Sequence, residues 1–335
     1  MTSFTKLVRL KFCINFSTKW RFASRGSLTE GVAIRQLRMA GNSGAEKLRI
    51  RARNHQYEGF DKENEGAWRG PFTFIASADT QYGMFACWED PSAQDWQEEV
   101  ELTQRGVERI NKMKPRPRFV VILGDMLDAM PGRPSREGQK NSFTEEFNKL
   151  DPEIPLVYLP GNHDIGDSPS MEDIQLYHDT FGDDFYSFWV GGVRFIVLNS
   201  QVYADPSKCQ KAREEHDAWL NKQLEDVQAT ECKHVVVFQH IPWFLKSPNE
   251  ENDYFNTDIR LRLPMLEKLH KAGVRIIFCG HYHRNAGGFY KGMEEVVTSA
   301  WGKPLGEDKS GLRVVTVTED SITHWFYNVD DIPLE

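Results

Sequence analysis

The chain has 335 residues, a formal net charge of −8 and an apolar share of 40%. This is enough for one large α/β domain or two small ones, and the negative charge argues against a nucleic-acid-binding surface, which carries net positive charge. Five cysteines stand far apart with no CxxC pair and no run approaches 18 consecutive apolar residues, so a disulfide framework, a structural zinc site and a transmembrane helix are not expected, and a reducing compartment fits.

Residues 1–29 carry Lys6, Arg9, Lys11, Lys19, Arg21 and Arg25 with no acid before Glu30. A basic, acid-free leader reads as a mitochondrial presequence, as an unstructured extension or as a mis-assigned start. Residues 1–45 are therefore set apart, residues 46–70 read as a polar linker, and the domain is expected over 71–330. The expected location is cytoplasmic, or mitochondrial if the leader is a presequence.

Phe72 to Ala78 is a short apolar run, a strand that ends at Asp79. Over 94–113, Trp96, Val100, Leu102, Val107, Ile110 and Met113 fall at roughly helical spacing, and Pro115 and Pro117 stop the helix. Phe119 to Leu123 is wholly apolar, as in a strand buried on both faces, and ends in Gly124-Asp125. A helix over 143–150 precedes a strand over 155–159, which ends in the turn Gly161-Asn162-His163-Asp164. A helix over 171–181 is followed by a hairpin, with strands over 186–190 and 193–198 around Gly191-Gly192. A helix over 211–228, with Trp219, Leu220 and Leu224 inward, leads to a strand over 234–239 that ends at His240. A helix near 259–271 leads to a strand over 274–279 that ends in Gly280-His281-Tyr282-His283. Three further strands are expected around 296–297, 312–318 and 321–327. The alternation implies a mixed α/β fold with helices outside and sheets inside. In open α/β sheets the site lies beyond the carboxyl ends of the strands.

A single strand-terminal Asp is ordinarily a turn or helix cap, and a single His there is ordinarily a surface or core group. Five such ends in one chain, one of them bearing His-x-His, are hard to obtain by chance. Asp79, Asp125, Asn162, His240, His281 and His283 offer oxygen and imidazole donors that suit Mn²⁺, Fe²⁺ or Zn²⁺. A carboxylate has two oxygens and is able to bridge two ions.

The order Asp-x-Gln, Gly-Asp-x-x-Asp, Gly-Asn-His-Asp, His, Gly-His-x-His over roughly residues 68–328 resembles the calcineurin-like metallophosphoesterase superfamily. Longer segments, among them Trp68 to Phe72, Gly124 to Gly132, Gly161 to Gly166 and Gly280 to Gly288, resemble a group within it described as serine/threonine protein phosphatases. The resemblance implies a four-layer α-β-β-α sandwich with mixed sheets in a single catalytic domain. It implies two divalent cations per subunit, with Mn, Fe, Zn and Mg not distinguished. Asp79, Asp125 and His283 would hold the first; Asp125 would bridge to the second, completed by Asn162, His240 and His281. His163 would bind no metal and would face the leaving group, with Asp128 hydrogen-bonded to it and orienting its ring.

The implied reaction is hydrolysis of phosphoserine and phosphothreonine in proteins by metal-activated hydroxide, with Asn162 also contacting the phosphoryl group. The alternatives are a phosphodiesterase or nucleotide phosphatase on the same site, and a non-catalytic metal-binding interaction module. The expected partner is a phosphorylated protein, with no nucleic acid and no membrane span; the oligomeric state is not legible. Two positions depart from the family pattern. Gln81 stands where a metal-binding His is common, and reads either as a weak oxygen ligand or as a hydrogen-bonding neighbour. Ala129 stands where the phosphoprotein-phosphatase branch has an arginine, which leaves Arg284 as a candidate phosphate contact or a plain surface residue.

Overall fold

In the computed structural model, residues 51–334 are described. The basic leader of residues 1–45 lies outside them. The elements in chain order are β1 (Ala52–Arg53), β2 (Gln56–Tyr57), α1 (Lys62–Glu65), β3 (Phe72–Ser77), α2 (Met84–Glu89), α3 (Gln97–Lys112), β4 (Val120–Ile122), α4 (Arg136–Phe147) and β5 (Leu156–Tyr158). They continue with α5 (Asn162–Ile165), α6 (Met171–Phe181), β6 (Tyr186–Val190), β7 (Val193–Val197), α7 (Gln201–Ala204), α8 (Gln210–Gln228) and β8 (His234–Phe238). The last are α9 (Ile259–Lys271), β9 (Val274–Cys279), β10 (Ala286–Tyr290), β11 (Met293–Val297), β12 (Gly311–Val317) and β13 (Ile322–Asn328).

Two mixed sheets face each other. One has eight strands in the order β1-β2-β6-β7-β8-β9-β11-β10, the other five in the order β13-β12-β3-β4-β5. Strands β3, β4 and β5 are parallel, as are β7, β8, β9 and β11. Alternation along each strand decides what goes where. Phe74, Ala76, Val121 and Leu123 point into the layer between the sheets, with Phe119, Phe188, Phe195, Phe238 and Phe278. Ile75, Val120 and Ile122 point outward and meet Val107, Ile110, Phe143 and Phe147 on the helices. The aromatic layer is tightly interlocked: Phe74 stacks on Phe119 at 4.7 Å, and Phe195 meets Phe119 edge-on at 5.2 Å. Apolar surface on both faces of a sheet leaves it stable only with cover on both sides. The four-layer sandwich follows.

Within the segment expected as a linker, residues 52–57 are instead part of the sheet. Strands β1 and β2 form a minimal antiparallel pair, and β2 joins β6 in parallel at Gln56 and Ser187. Tyr57 and Phe60 are buried there, and the buried Glu65 carboxylate bonds Arg118 and the Gly191 N–H, both at 2.8 Å. Two-residue strands have no periodicity to read, so two isolated aromatics in a polar stretch give no signal of a sheet edge. The structure also adds α2 and β10, and shifts the helix expected over 143–150 back to Arg136–Phe147. Among the described residues no helix is long and apolar enough to cross a membrane.

Candidate metal centre

The parallel strands β3, β4, β5, β8 and β9 all end on one side of the sandwich, so the residues that follow them converge. Ligand atoms of Asp125, His240 and His281 lie within 4.8 Å of one another, and so do those of Asp79, Asp125 and His283. The two clusters share Asp125 and all five residues are buried.

The backbone is bent to achieve this. Asp79, Gln81, Asp125, His281 and His283 have φ between 37° and 67°. That left-handed region costs a non-glycine residue of order 1–3 kcal/mol, and it persists only where the surroundings impose it. Five of the eight such residues among those described belong to this one site. Close approach is permitted by two glycines. A Cβ on Gly124 would come within 2.6 Å of His240 Nδ1, and one on Gly161 would overlap Asp125 Oδ1.

The imidazoles are oriented by carbonyls, which only accept hydrogen bonds. His240 Nδ1 donates to Leu123 O at 2.7 Å and His283 Nδ1 donates to Lys303 O at 2.6 Å. Nε2 of each ring is thereby left with its lone pair toward the cluster. His240 Nε2 faces Asn162 Oδ1 at 3.1 Å and Asp125 Oδ2 at 3.3 Å, and His283 Nε2 faces Asp79 Oδ1 at 3.4 Å. His281 is turned the other way: its Nε2 donates to Tyr254 O at 3.2 Å. A lone pair set against carboxylate and amide oxygens is repulsive unless positive charge lies between them. This donor set fits a pair of divalent cations joined at Asp125.

The electrostatics agree. Burial works to lower the His240 pKa, but Asp125 and Asp79 push it up to about 9, the mark of an anionic cluster that favours positive charge at its centre. Burial, reinforced by Asp125, raises the Asp79 carboxyl well above its usual range. Burial lowers His281 to about 3 and His283 to about 4, which keeps both as neutral donors.

Asn162 and His163 open the short helix α5 beside the clusters. The His163 N–H donates to Asp125 Oδ1 at 2.8 Å. The expected bond from the Asp128 carboxylate to His163 is not the one that forms. His163 Nδ1 donates to the Asp128 main-chain carbonyl at 2.6 Å, whereas the carboxylate oxygen is 3.7 Å away. That carboxylate accepts instead from Gln81 Nε2 at 3.1 Å. Gln81 is thus a hydrogen-bonding neighbour through its nitrogen. Its Oε1 is buried with no protein partner, so a ligand role for the oxygen is compatible with the same amide orientation. Arg284 sits over the Tyr282 ring, its Cζ 4.8 Å from the centroid, and among the described residues makes no hydrogen bond to the clusters.

Three further residues hold this arrangement. The Asp164 carboxylate accepts from the N–H groups of Asp125, Met126 and Gly161 at 2.7, 3.1 and 2.8 Å, tying the ends of β4 and β5 together. Its place within the Gly-Asn-His-Asp turn, where an acid three residues in caps a helix start, is the signal that was available. Arg136 donates to the carbonyls of Ala129, His163 and Asp164 at 2.7, 3.1 and 2.7 Å, joining the loop of Asp128 to the turn of His163. Tyr254, from a loop 14 residues beyond His240, reaches the Asn162 amide. Nothing in the sequence marks either.

The calcineurin-like phosphoesterase family model matches residues 72–285. The chain is 45% identical over 286 residues to the mouse serine/threonine-protein phosphatase CPPED1, covering 84% of this chain and 92% of that one. It is 44% identical over 291 residues to the zebrafish protein of the same name, covering 86% and 94%. A dimetal phosphatase from zebrafish has the same fold, with a TM-score of 0.53 at 15% identity, covering 78% of this chain and 100% of that one. With that likeness spread over the whole sandwich and the clusters built on its strand ends, the chain belongs to the calcineurin-like phosphoesterase family.

Proposed function

We propose that this protein is a metal-dependent phosphomonoesterase that hydrolyses phosphoserine and phosphothreonine in proteins. The observation that carries the chemistry is the pair of buried donor clusters sharing Asp125, with Asn162 and His163 side by side on the adjoining turn. The substrate class is supported by relatives named serine/threonine-protein phosphatases, at 44–45% identity over most of both chains.

Asp79, Asp125 and His283 would hold one cation, and Asp125, Asn162, His240 and His281 the other. Bound there, two divalent cations supply a low-pKa water at neutral pH and neutralise phosphoryl oxygens. The chain's own residues do the rest. Asn162 would face the phosphoryl group from the turn after β5, and Arg284, on the loop after β9, is a candidate phosphate contact. His163 acts as the acid toward the leaving oxygen: Nδ1 is tied to the Asp128 carbonyl, so Nε2 is the nitrogen free to deliver a proton. Burial works against its charged form, but Asp125 and Asp128 outweigh it and raise the His163 pKa. Asp128 therefore acts by charge and through its carbonyl. A cytoplasmic location is part of the proposal, supported by the wide spacing of the five cysteines with no CxxC pair.

The test is a substrate panel run with and without added Mn²⁺ after chelation: phosphoserine and phosphothreonine peptides, a nucleoside monophosphate and a phosphate bis-ester. The reading predicts metal-dependent phosphate release, fastest on the phosphopeptides. Faster turnover of the bis-ester or the nucleotide would reassign the substrate, and no turnover of any of them would remove the enzyme reading.

A further inference from the structure

The loop between β8 and α9, residues 242–257, is irregular but firmly held. The Glu250 carboxylate accepts from the N–H groups of Leu245, Lys246 and Ser247 at 2.7, 2.9 and 3.1 Å, and from Asn256 Nδ2 at 2.8 Å. Arg262 is 0% exposed, and its guanidinium donates to loop carbonyls alone: Thr257 at 3.0 and 2.7 Å, Pro248 at 3.2 Å and Glu250 at 2.8 Å. The start of the loop is pinned by the Trp243 N–H on the buried Glu295 carboxylate at 2.5 Å. A fully buried guanidinium is costly unless every donor is used. Using it to fix a surface loop makes sense where that loop must hold something in place.

What it holds is Tyr254. The Tyr254 carbonyl accepts a hydrogen bond from His281 Nε2 at 3.2 Å, and its ring centroid lies 5.1 Å from that imidazole. Its hydroxyl oxygen lies 3.4 Å from Asn162 Nδ2, the amide whose oxygen faces His240. The residue is nevertheless 38% exposed, so it stands at the mouth of the centre. The phenol oxygen accepts from the amide, and among the described residues no acceptor engages its own O–H. A phenol keeps its proton at neutral pH. It is thus a donor left without an acceptor at the entrance.

We propose that Tyr254 is a substrate-contacting residue whose O–H donates a hydrogen bond to a non-bridging phosphoryl oxygen at the Asn162 and His281 edge of the centre. This rests on the phosphate-ester reading above. A hydrogen bond to an ionised oxygen is among the strong ones, and the loop presents the donor already ordered.

The experiment is calorimetric binding of inorganic phosphate to the Mn²⁺-loaded protein, with metal content measured on the same samples. Wild type is expected to bind, and Tyr254→Phe to bind roughly ten-fold or more weakly with unchanged metal content. The kcat/KM on a phosphoserine peptide should fall by the same factor. Equal phosphate affinity in the two proteins overturns the contact. So does a loss of affinity that comes with loss of metal, because the hydroxyl would then act only by orienting Asn162. Absence of phosphate binding by the wild type overturns the phosphate-ester reading, and the contact with it.

Discussion

His163 sits one residue from a proposed metal ligand and does not itself join either donor cluster. Its ring is oriented through Nδ1 by a carbonyl, which leaves the other nitrogen for the substrate. If it protonates the leaving oxygen, His163→Ala should slow turnover of a phosphoserine peptide by roughly 10²- to 10⁴-fold. On p-nitrophenyl phosphate, whose leaving group needs no proton, the loss should be far smaller, and metal content should not change. Equal losses on the two substrates would take the acid role away. At this scale the donors are legible in the sequence, because an Asp or His at the end of an apolar run has few ways to be satisfied. The detail of Asp128 is not: a motif names a residue, and only the loop geometry decides that its carbonyl, rather than its carboxylate, meets His163. Gln81 is the reverse case, a departure from the family pattern whose nitrogen turns out to hold the carboxylate that His163 leaves free.

The turn after β5 is the element on which the centre depends most. A Cβ at Gly161 would overlap the Asp125 side chain and crowd its N–H, in a place where Asp164 already fixes both main-chain segments. Gly161→Ala should therefore cost about 1–3 kcal/mol of stability in denaturant unfolding and weaken metal binding. A wild-type midpoint with normal metal content would show that the turn has room to give. A second prop stands at the end of β7, next to the His240 loop. Asp184 bonds His178 Nε2 at 2.6 Å and Asn199 Nδ2 at 2.7 Å, and Ser200 Oγ accepts from the Ile241 N–H at 2.9 Å. The hydrogen bond that His178 donates to Asp184 raises the His178 pKa above its unfolded value. A raised histidine contributes stability that is complete below the unfolded pKa of about 6.5 and is lost as pH rises through the higher folded value. The Tm difference between wild type and His178→Ala should accordingly be larger at pH 6 than at pH 9; an equal difference would remove the ion pair from the account. The long, periodic elements are legible in sequence, with α6 and α9 falling on their expected spans. Strands β1, β2 and β10 are not, since two of them are two residues long and β10 reads Ala-Gly-Gly-Phe-Tyr, which lacks the β-branched alternation of a strand.

Over the whole molecule, the centre is a consequence of topology. Two sheets joined by an interlocked aromatic layer present the carboxyl ends of five parallel strands to one side, so residues from Asp79 to His283 meet although 204 positions separate them. The order of motifs makes that convergence readable, because each motif follows its own strand. The loop that carries Tyr254 is not readable, because its placement comes from the buried Arg262 and Glu250 and from no pattern of its own. The central claim is that two cations share one carboxylate. Elemental analysis of metal-saturated, dialysed protein tests it most directly. Wild type should retain about two equivalents per chain, and Asp125→Asn should lose both together, since neither cluster is complete without Asp125. An Asp125→Asn protein that is folded and still holds two equivalents, or a wild type that saturates at one, would contradict the account.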